Sequence, residues 1–381
     1  MTPAAFAPAR PGAVLGCGAR GQNAAAVAAL IDCLAWGLPI HASLAGIRAD
    51  GGVPGAWLCC QSSGSGGRVK TIRRSHASWI ASFEVNRAAF GLSARDRYAV
   101  LGQLGHSLAL YAALEALHLG AGLMVLAGDS PRRQRATLAE AGATVLYATP
   151  TQLHRLLLAG QGVLPAVAHV FCGGGRLDAA CRAGVAALCP NAAIRAFYGA
   201  SETSFITIAD AETPEGSVGR AYPGVDLRLD AEGRIAVASP YLFQGYAEPD
   251  LPMPPRRDGH LTTGDIGRLD DRGNLFLRGR ESRMVTVADR NLFLEDVEAV
   301  LAAASARPCA ALALPDARRG HAVVAAVEGA GDDALAASLR RACREALGDH
   351  AAPRRIVFLA RLPRLGSDKP DLAALARLVA P

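Results

Sequence analysis

An α/β fold is predicted, with a β-rich stretch in its second half and a small α+β unit at its C-terminal end. Three observations predict it. Short apolar strands alternate with Ala-rich helices to about residue 210, the rhythm of a parallel sheet with crossover helices. Between Ser217 and Arg280 the texture changes to short strands bounded by Gly, Pro and Asp, and beyond Arg280 strands and helices alternate again.

Taken in order, residues 12–15 read as a strand and 23–35 as the helix that follows it. Residues 56–60 form an apolar strand. The strands at 225–229, 234–238 and 274–277 belong to the β-rich stretch. Residues 294–304 read as a helix, 310–314 and 322–327 as strands, and 334–347 as a second helix. No repeat or low-complexity linker marks a junction, so the division rests on texture. It gives a large unit over 1–279, split into an α/β part at 1–216 and a β-rich part at 217–279, and a small unit over 280–381.

Composition removes several function classes. In 381 residues, 51% are hydrophobic and 19% charged, which excludes a disordered tail or a fibrous repeat. The excess of 40 Lys+Arg over 34 Asp+Glu leaves +6 spread along the chain, without the dense basic stripe of a nucleic-acid binder. Arg132-Arg133-Gln134-Arg135 reads as a solvated helix face. No apolar run approaches the roughly 20 residues of a membrane span, and the first residues lack a signal-peptide core, so the expectation is a soluble, cytoplasmic protein. The nine cysteines include no CxxC pair, which leaves buried free thiols rather than zinc or disulfides.

Two glycine-rich segments compete for a phosphate. Residues 16–21 fit G-x-G-x-x-G between a strand and a helix, yet residues 38–43 lack the acid that a dinucleotide ribose needs about 20 positions on. A Gly-rich strand-to-helix turn is the better reading. The second segment, Ser62-Ser63-Gly64-Ser65-Gly66-Gly67-Arg68-Val69-Lys70, directly follows the apolar strand at 56–60. Glycines let backbone N–H groups turn toward an anion, hydroxyls add donors, and Arg68 and Lys70 add charge. The P-loop pattern cannot be laid over it.

Further segments follow in order: Tyr198-Gly199-Ala200-Ser201-Glu202, Val218 to Gly224, Pro240 to Tyr246, His260 to Asp265, Gly279 to Arg283, and Leu362 to Lys369. Together they resemble the AMP-forming adenylating superfamily, which includes acyl- and aryl-CoA ligases, peptide-synthetase adenylation domains and luciferases. The resemblance runs from about residue 56 to 375 and implies an adenylating core with a small α+β C-terminal lid domain.

Carried over, the resemblance implies that Ser62, Ser63, Gly64, Ser65, Gly66, Gly67 and Lys70 hold the β- and γ-phosphates of ATP. Tyr198, beside Gly199, stacks on adenine, and Ser201 bonds the α-phosphate. Glu202 holds Mg²⁺, a hard cation suited to a carboxylate and phosphate oxygens. Asp265 accepts the ribose hydroxyls, and Arg280 adds donors to ribose and phosphate. Lys369 bridges the substrate carboxylate and the α-phosphate once the small domain has swung about a hinge at Arg283. Lys369 and Lys70 are the only lysines in the chain, and a compact ammonium cannot be exchanged freely for the planar fork of arginine.

The implied reaction joins a small carboxylic acid to AMP and then to a thiol, that of coenzyme A or of the phosphopantetheine of an acyl carrier protein. His106, Ser107, Phe197 and Ala200 are expected around the acid, with Gly173, Gly174 and Gly175. Amino-acid-activating relatives have an Asp where this chain has Ser107, and an ammonium buried without a carboxylate is costly. An acid lacking an α-amino group is therefore expected.

Some positions depart from the family pattern. Asp289 stands where a glycine is usual and bears on the thiol channel, Val69 stands where Pro is common, and the N-terminal region is shorter than in typical members. Its sheet edges suit a partner or a second copy. A catalytically silent relative that binds a nucleotide or a partner, and an NAD oxidoreductase, are the other function classes. The role implied for Lys369 has a direct consequence: Lys369→Ala lowers acid-dependent pyrophosphate exchange by orders of magnitude while ATP still binds, and unchanged exchange refutes the assignment.

Overall fold

A computed structural model describes residues 5–18, 21–49, 55–62, 69–316, 319–365 and 370–379. The central sheet has eight strands in the order Val14–Cys17, Gly122–Val125, Arg97–Val100, Val145–Ala148, His169–Cys172, Ala193–Ala200, Ser204–Ala209 and Arg220–Ala221. The first six are parallel and the last two antiparallel. Its inner strands are short apolar runs because both faces are covered. Leu123, Val125, Val145, Tyr147 and Phe171 point into one core, and Met124, Leu126, Leu146 and Val170 into the other. The helix Ser107–His118 is buried from Ala109 to Leu117, in the first of those cores.

The parallel rhythm expected over the first hundred residues holds only in part between residues 40 and 75, where Ile40–Ser43 pairs parallel with Trp57–Ser62 and the other pairs are antiparallel. Those residues form a second sheet in the order Gly245–Tyr246, Lys70–Ser75, Trp57–Ser62, Ile40–Ser43 and Gly46–Ala49. Local chain length explains the difference. Ile40–Ser43 and Gly46–Ala49 are joined too tightly for a crossover, which needs about a dozen residues, so they pair antiparallel. Trp57–Ser62 and Lys70–Ser75 do the same.

The strand Arg234–Ala238 occupies the residues expected of it, in a sheet with Asp226–Leu229, His260–Leu269, Arg256–Arg257 and Leu275–Arg280. Farther on, Leu294–Ser305 and Asp333–Leu347 are helices, and Cys309–Asp316, Gly320–Glu328 and Arg355–Leu359 form a sheet. A hairpin of Met284–Val287 and Arg290–Phe293 was not expected. Its tip places Ala288 and Asp289 at φ 48° and 59°, the paired left-handed backbone of a tight hairpin turn that usually carries Gly or Asn. In the helix Pro131–Glu140, Arg132 and Arg133 are exposed as read, but Gln134 is buried and donates to Leu126 O at 2.9 Å. Arg135 also turns back, donating to Leu156 O at 3.2 Å.

All nine cysteines are free. No described helix is long and apolar enough to cross a membrane. At the first glycine-rich segment, a Cβ on Gly18 would meet Asp129 Oδ2 at 2.6 Å, so a carboxylate faces the turn where a pyrophosphate would need donors.

Two histidines pin the N-terminal segment. Phe6 N donates to His76 Nδ1 at 3.3 Å and Ala7 N to His118 Nδ1 at 3.0 Å, while His76 Nε2 meets Trp57 O at 3.2 Å. Both rings must be neutral to accept. Burial pushes His76 down to about 4, with the neighbouring His118 also lowering it, and burial lowers His118 against the pull of Glu84. The unfolded value is 6.5, so the stability held in the neutral His76 ring is complete above that pH and is lost as pH falls through about 4. The loss expected from His76 is roughly 3 kcal/mol. Amide exchange at Phe6 and Ala7 should accelerate over that window, and a His76→Gln variant should lose most of the pH dependence; a flat profile in the wild type contradicts the latch.

Candidate functional site

The strands Ala193–Ala200 and Ser204–Ala209 are joined by a tight turn at Ser201-Glu202-Thr203. Thr203 N donates to Ala200 O at 3.1 Å, and Thr203 Oγ1 accepts from Ala200 N at 3.0 Å. Ser204 enters the left-handed region at φ 57° and is held there by Trp79 Nε1, 3.1 Å from its Oγ. The chain passes so close to itself that a Cβ on Gly199 would lie 1.9 Å from Ser204 O. Only glycine fits there.

Arg74 holds this turn from below. Fully buried, it donates from Nε and NH2 to Ser201 O at 3.1 and 2.8 Å, and from NH1 to Tyr241 O at 2.6 Å. Burial lowers its pKa to about 10, partly offset by Cys60 and Glu202. The guanidinium thus stays charged at neutral pH, and it serves carbonyls rather than a carboxylate. Sequence reading missed Arg74. The available signal was alternation along Lys70–Ser75, which puts Arg74 on the same inward face as Ile72.

Two groups of side chains meet around the turn. In the first, Tyr198 OH donates to Asp265 Oδ2 at 2.6 Å, and Arg280 Nε lies 3.3 Å from Asp265 Oδ1. Asp265 and Arg280 are cross-strand partners of His260–Leu269 and Leu275–Arg280, so the ladder sets their pairing. Burial and the Asp265 carboxylate push the Tyr198 phenol well up, which keeps it a donor. In the second group, Tyr246 OH donates to Glu202 Oε1 at 3.0 Å, and Lys70 Nζ is 3.5 Å from Tyr246 OH. Tyr246, from the segment 240–246, is the link between Lys70 and Glu202 that sequence reading did not assign.

Ser62 and Lys70 are register partners, so the glycine-rich loop starts and ends at one end of an inner strand pair of the second sheet. Ser63, Gly64, Ser65, Gly66 and Gly67 lie outside the described residues, as does Lys369. His106 precedes the helix Ser107–His118 and bridges to Gln61, next to Ser62. Burial pushes the Cys60 thiol up to about 11, against the pull of Arg74 and then of Ser107. Gly173 follows the strand His169–Cys172, and a Cβ there would lie 2.2 Å from Phe197 Cζ, so that ring rests on bare backbone. Gly174 and Gly175 continue the loop alongside Thr149 and Pro150. His106, Ser107 and Gly173 follow the carboxyl ends of the parallel strands Arg97–Val100 and His169–Cys172, where open α/β sheets bind ligands. Arg283 points away from them, to Glu298 Oε1 at 2.7 Å, Glu295 Oε1 at 3.3 Å and Ala311 O at 3.0 Å.

One further charged residue was missed. Glu115, inside the helix Ser107–His118, is fully buried and accepts from Tyr147 OH at 2.6 Å and Asn86 Nδ2 at 2.7 Å. Burial raises its pKa to about 7, against the pull of these donors. An acidic residue amid a continuous apolar helix was the visible signal.

A carboxylate turn, a Tyr–Asp–Arg cluster and the ends of a glycine-rich loop suit a nucleotide with its phosphates and a divalent cation. Mg²⁺ takes one or two carboxylates together with phosphate oxygens. Glu202 fits this, since its carboxylate has a tyrosine hydroxyl on one oxygen and no ion pair to Arg or Lys among the described residues.

Comparison with known proteins agrees. Residues 58–247 match the model of the AMP-binding enzyme family, and residues 296–369 match that of the AMP-binding enzyme C-terminal domain. An uncharacterised acyl–CoA ligase, YhfT of Bacillus subtilis, is 31% identical over 321 residues, 81% of this chain and 65% of its own. This chain thus spans just under two thirds of that relative's length. Among solved structures, the amide bond synthetase McbA from Marinactinospora thermotolerans superposes with TM-score 0.72 at 25% identity, covering 84% of this chain and 69% of its own. The o-succinylbenzoate CoA synthetase MenE of Bacillus subtilis, complexed with its acyl-adenylate intermediate, shares the fold with TM-score 0.75 at 22% identity, over 84% and 68% of the two chains.

Replacing Arg74 with Met removes the donors to Ser201 O and Tyr241 O inside the core. At about 1–3 kcal/mol for each orphaned carbonyl, Arg74→Met should destabilise the protein by about 2–6 kcal/mol. Urea unfolding with an unchanged midpoint would contradict the role given to this guanidinium.

Proposed function

The chain belongs to the AMP-binding enzyme family, and from that premise we propose that it is an AMP-forming acid–thiol ligase. It activates an acyl or aryl acid without an α-amino group, using ATP, and transfers the acyl group to coenzyme A or to a carrier-protein phosphopantetheine. The observation that carries this reading is the Tyr198–Asp265–Arg280 cluster beside the Ser201-Glu202 turn, with Lys70 reaching Glu202 through Tyr246.

In this reading Tyr198 stacks on the adenine with its ring oriented by Asp265. Asp265 and Arg280 receive the ribose, the loop from Ser62 to Lys70 takes the β- and γ-phosphates, and Ser201 bonds the α-phosphate. Glu202 holds Mg²⁺, which neutralises phosphate charge when bound. The acid lies between His106 and Ser107 on one side and Gly173, Phe197 and Ala200 on the other. Its carboxylate oxygen attacks the α-phosphorus as pyrophosphate leaves, giving the acyl-adenylate. A thiolate then attacks the acyl carbon and AMP departs.

Both partners in the first step are anions, so the residues must lower their repulsion and hold them in line. Lys70, Arg280 and Lys369 supply the charge. We place the division between the large and small units at 279/280, with Arg283 as the pivot. The bonds from Arg283 to Glu295 and Glu298 support its attachment to the small unit.

Exchange of labelled pyrophosphate into ATP over a panel of fatty, aryl, hydroxy and amino acids tests the reading. Exchange with some acid, and little with α-amino acids, is the expected result. A folded protein that exchanges with none of a broad panel sinks it.

A further inference from the structure

We propose that Tyr246 is a positioning residue that keeps Lys70 and Glu202 apart. It holds the ammonium on its ring and hydroxyl until a phosphate takes it, and it leaves one carboxylate oxygen to a divalent cation. The roles toward phosphate and cation rest on the acid–thiol ligase reading; the spacing of the two charges does not.

Tyr246 is fixed from both sides. In the strand Gly245–Tyr246 it is the register partner of Ile72, and Gln244 N and Ala247 N donate to Arg73 O and Thr71 O at 2.8 and 2.9 Å. Thr71 N in turn donates to the Glu248 carboxylate, at 3.1 Å to Oε1 and 3.0 Å to Oε2. The same segment grips the turn that carries Glu202. Phe243 N donates to Glu202 O at 2.8 Å, and the Phe243 ring meets that of Tyr246 edge-on with centroids 5.1 Å apart. The phenol is therefore a rigid post between two flexible charged side chains.

Its hydroxyl bonds in both directions. Tyr246 OH donates to Glu202 Oε1 at 3.0 Å and accepts from Lys70 Nζ at 3.5 Å, while Nζ lies 5.0 Å from the ring centroid, within cation–π range. Burial, and then the Glu202 carboxylate, push the phenol pKa up, so the proton stays on Tyr246 at neutral pH. The two charges thus meet through a neutral group. Among the described residues neither makes an ion pair, and Glu202 Oε2 has no hydrogen-bond partner.

Without the post, a half-buried ammonium and carboxylate attract each other strongly in a medium less polar than water, and their contact would quench both. Glu202 would lose the free charge that a hard cation needs, and Lys70 the charge that a phosphate needs. The long bond from Lys70 to a neutral oxygen is weak enough to be given up. Phosphate oxygens are charged and form the stronger, charge-assisted bond.

The scarcity of lysine makes the contact directly observable. Lys70 and Lys369 are the only two, so reductive methylation with ¹³C-formaldehyde marks those side chains and the amino terminus, and Lys369→Arg assigns the Lys70 signal. Methylation keeps the charge. The Lys70 methyl resonances should stand upfield in the ring current of Tyr246, and Tyr246→Leu should abolish that shift. ATP with Mg²⁺ should also abolish it in the wild type, a readout that needs no variant to fold. Resonances at the position of a solvated lysine in the wild type, or a shift that survives either change, overturn the proposal.

Calorimetry of ATP binding with Mg²⁺ and with EDTA reads the cation. Mg²⁺ should strengthen binding to Tyr246→Leu about tenfold less than to the wild type, and Lys70→Met added to Tyr246→Leu should restore the wild-type enhancement. Equal enhancement in wild type and Tyr246→Leu, or a double variant as impaired as the single one, defeats the spacing role. A wild type that binds no ATP defeats the ligase reading instead, and the Lys70 shift still decides whether the ring holds the ammonium.

Discussion

The site depends on a buried positive charge that touches no described carboxylate. Arg74 ties the second sheet to the turn that carries Ser201 and Glu202 and to the carbonyl of Tyr241, and these partners are otherwise remote from it in the chain. A guanidinium removed from water is costly unless its N–H groups are met, and carbonyls of a rigid hairpin meet them without neutralising the charge. A positive field therefore remains under a turn whose outer side holds an acidic residue. The same contact orders the turn, since the backbone at Ser201 cannot relax without abandoning two hydrogen bonds to Arg74.

Above this foundation, charged groups are placed by sheet register rather than by loops. Asp265 and Arg280 oppose each other across an antiparallel ladder, and Ser62 and Lys70 do so across another. Register fixes such pairs because a slip of one residue would turn both side chains to the other face. Glu202 sits on a turn instead, and its orientation comes from Tyr246 and from the glycine that lets the hairpin close.

Much of the architecture was legible in the pattern of residues. The strand Arg234–Ala238 and the helices Leu294–Ser305 and Asp333–Leu347 were visible because alternation and helical periodicity are local properties. Within residues 40–75 the strand read at 56–60 is present, but its antiparallel partner Lys70–Ser75 was not foreseen, since an apolar strand before a helix looks the same whether its partner is parallel or antiparallel. The hairpin Met284–Phe293 was hidden because its turn carries Ala288 and Asp289 in place of the glycine that usually marks one. In the candidate site, Tyr198, Glu202, Asp265 and Arg280 were proposed from ordered motifs, whereas the hydrogen bond from Tyr198 to Asp265 spans 67 positions and no spacing rule foretells it. Arg74 escaped because an arginine in an arginine-rich chain reads as surface.

The reach of Arg74 also bears on how the chain matures during synthesis. Its acceptors lie 127 and 167 residues downstream, so on the ribosome the strand Lys70–Ser75 emerges long before Ser201 or Tyr241 exists to receive it. Until then the guanidinium must stay hydrated, which keeps the inward face of that strand from closing over a dry interior. The nascent N-terminal portion is thereby held open, and its final collapse waits for the arrival of the later hairpin.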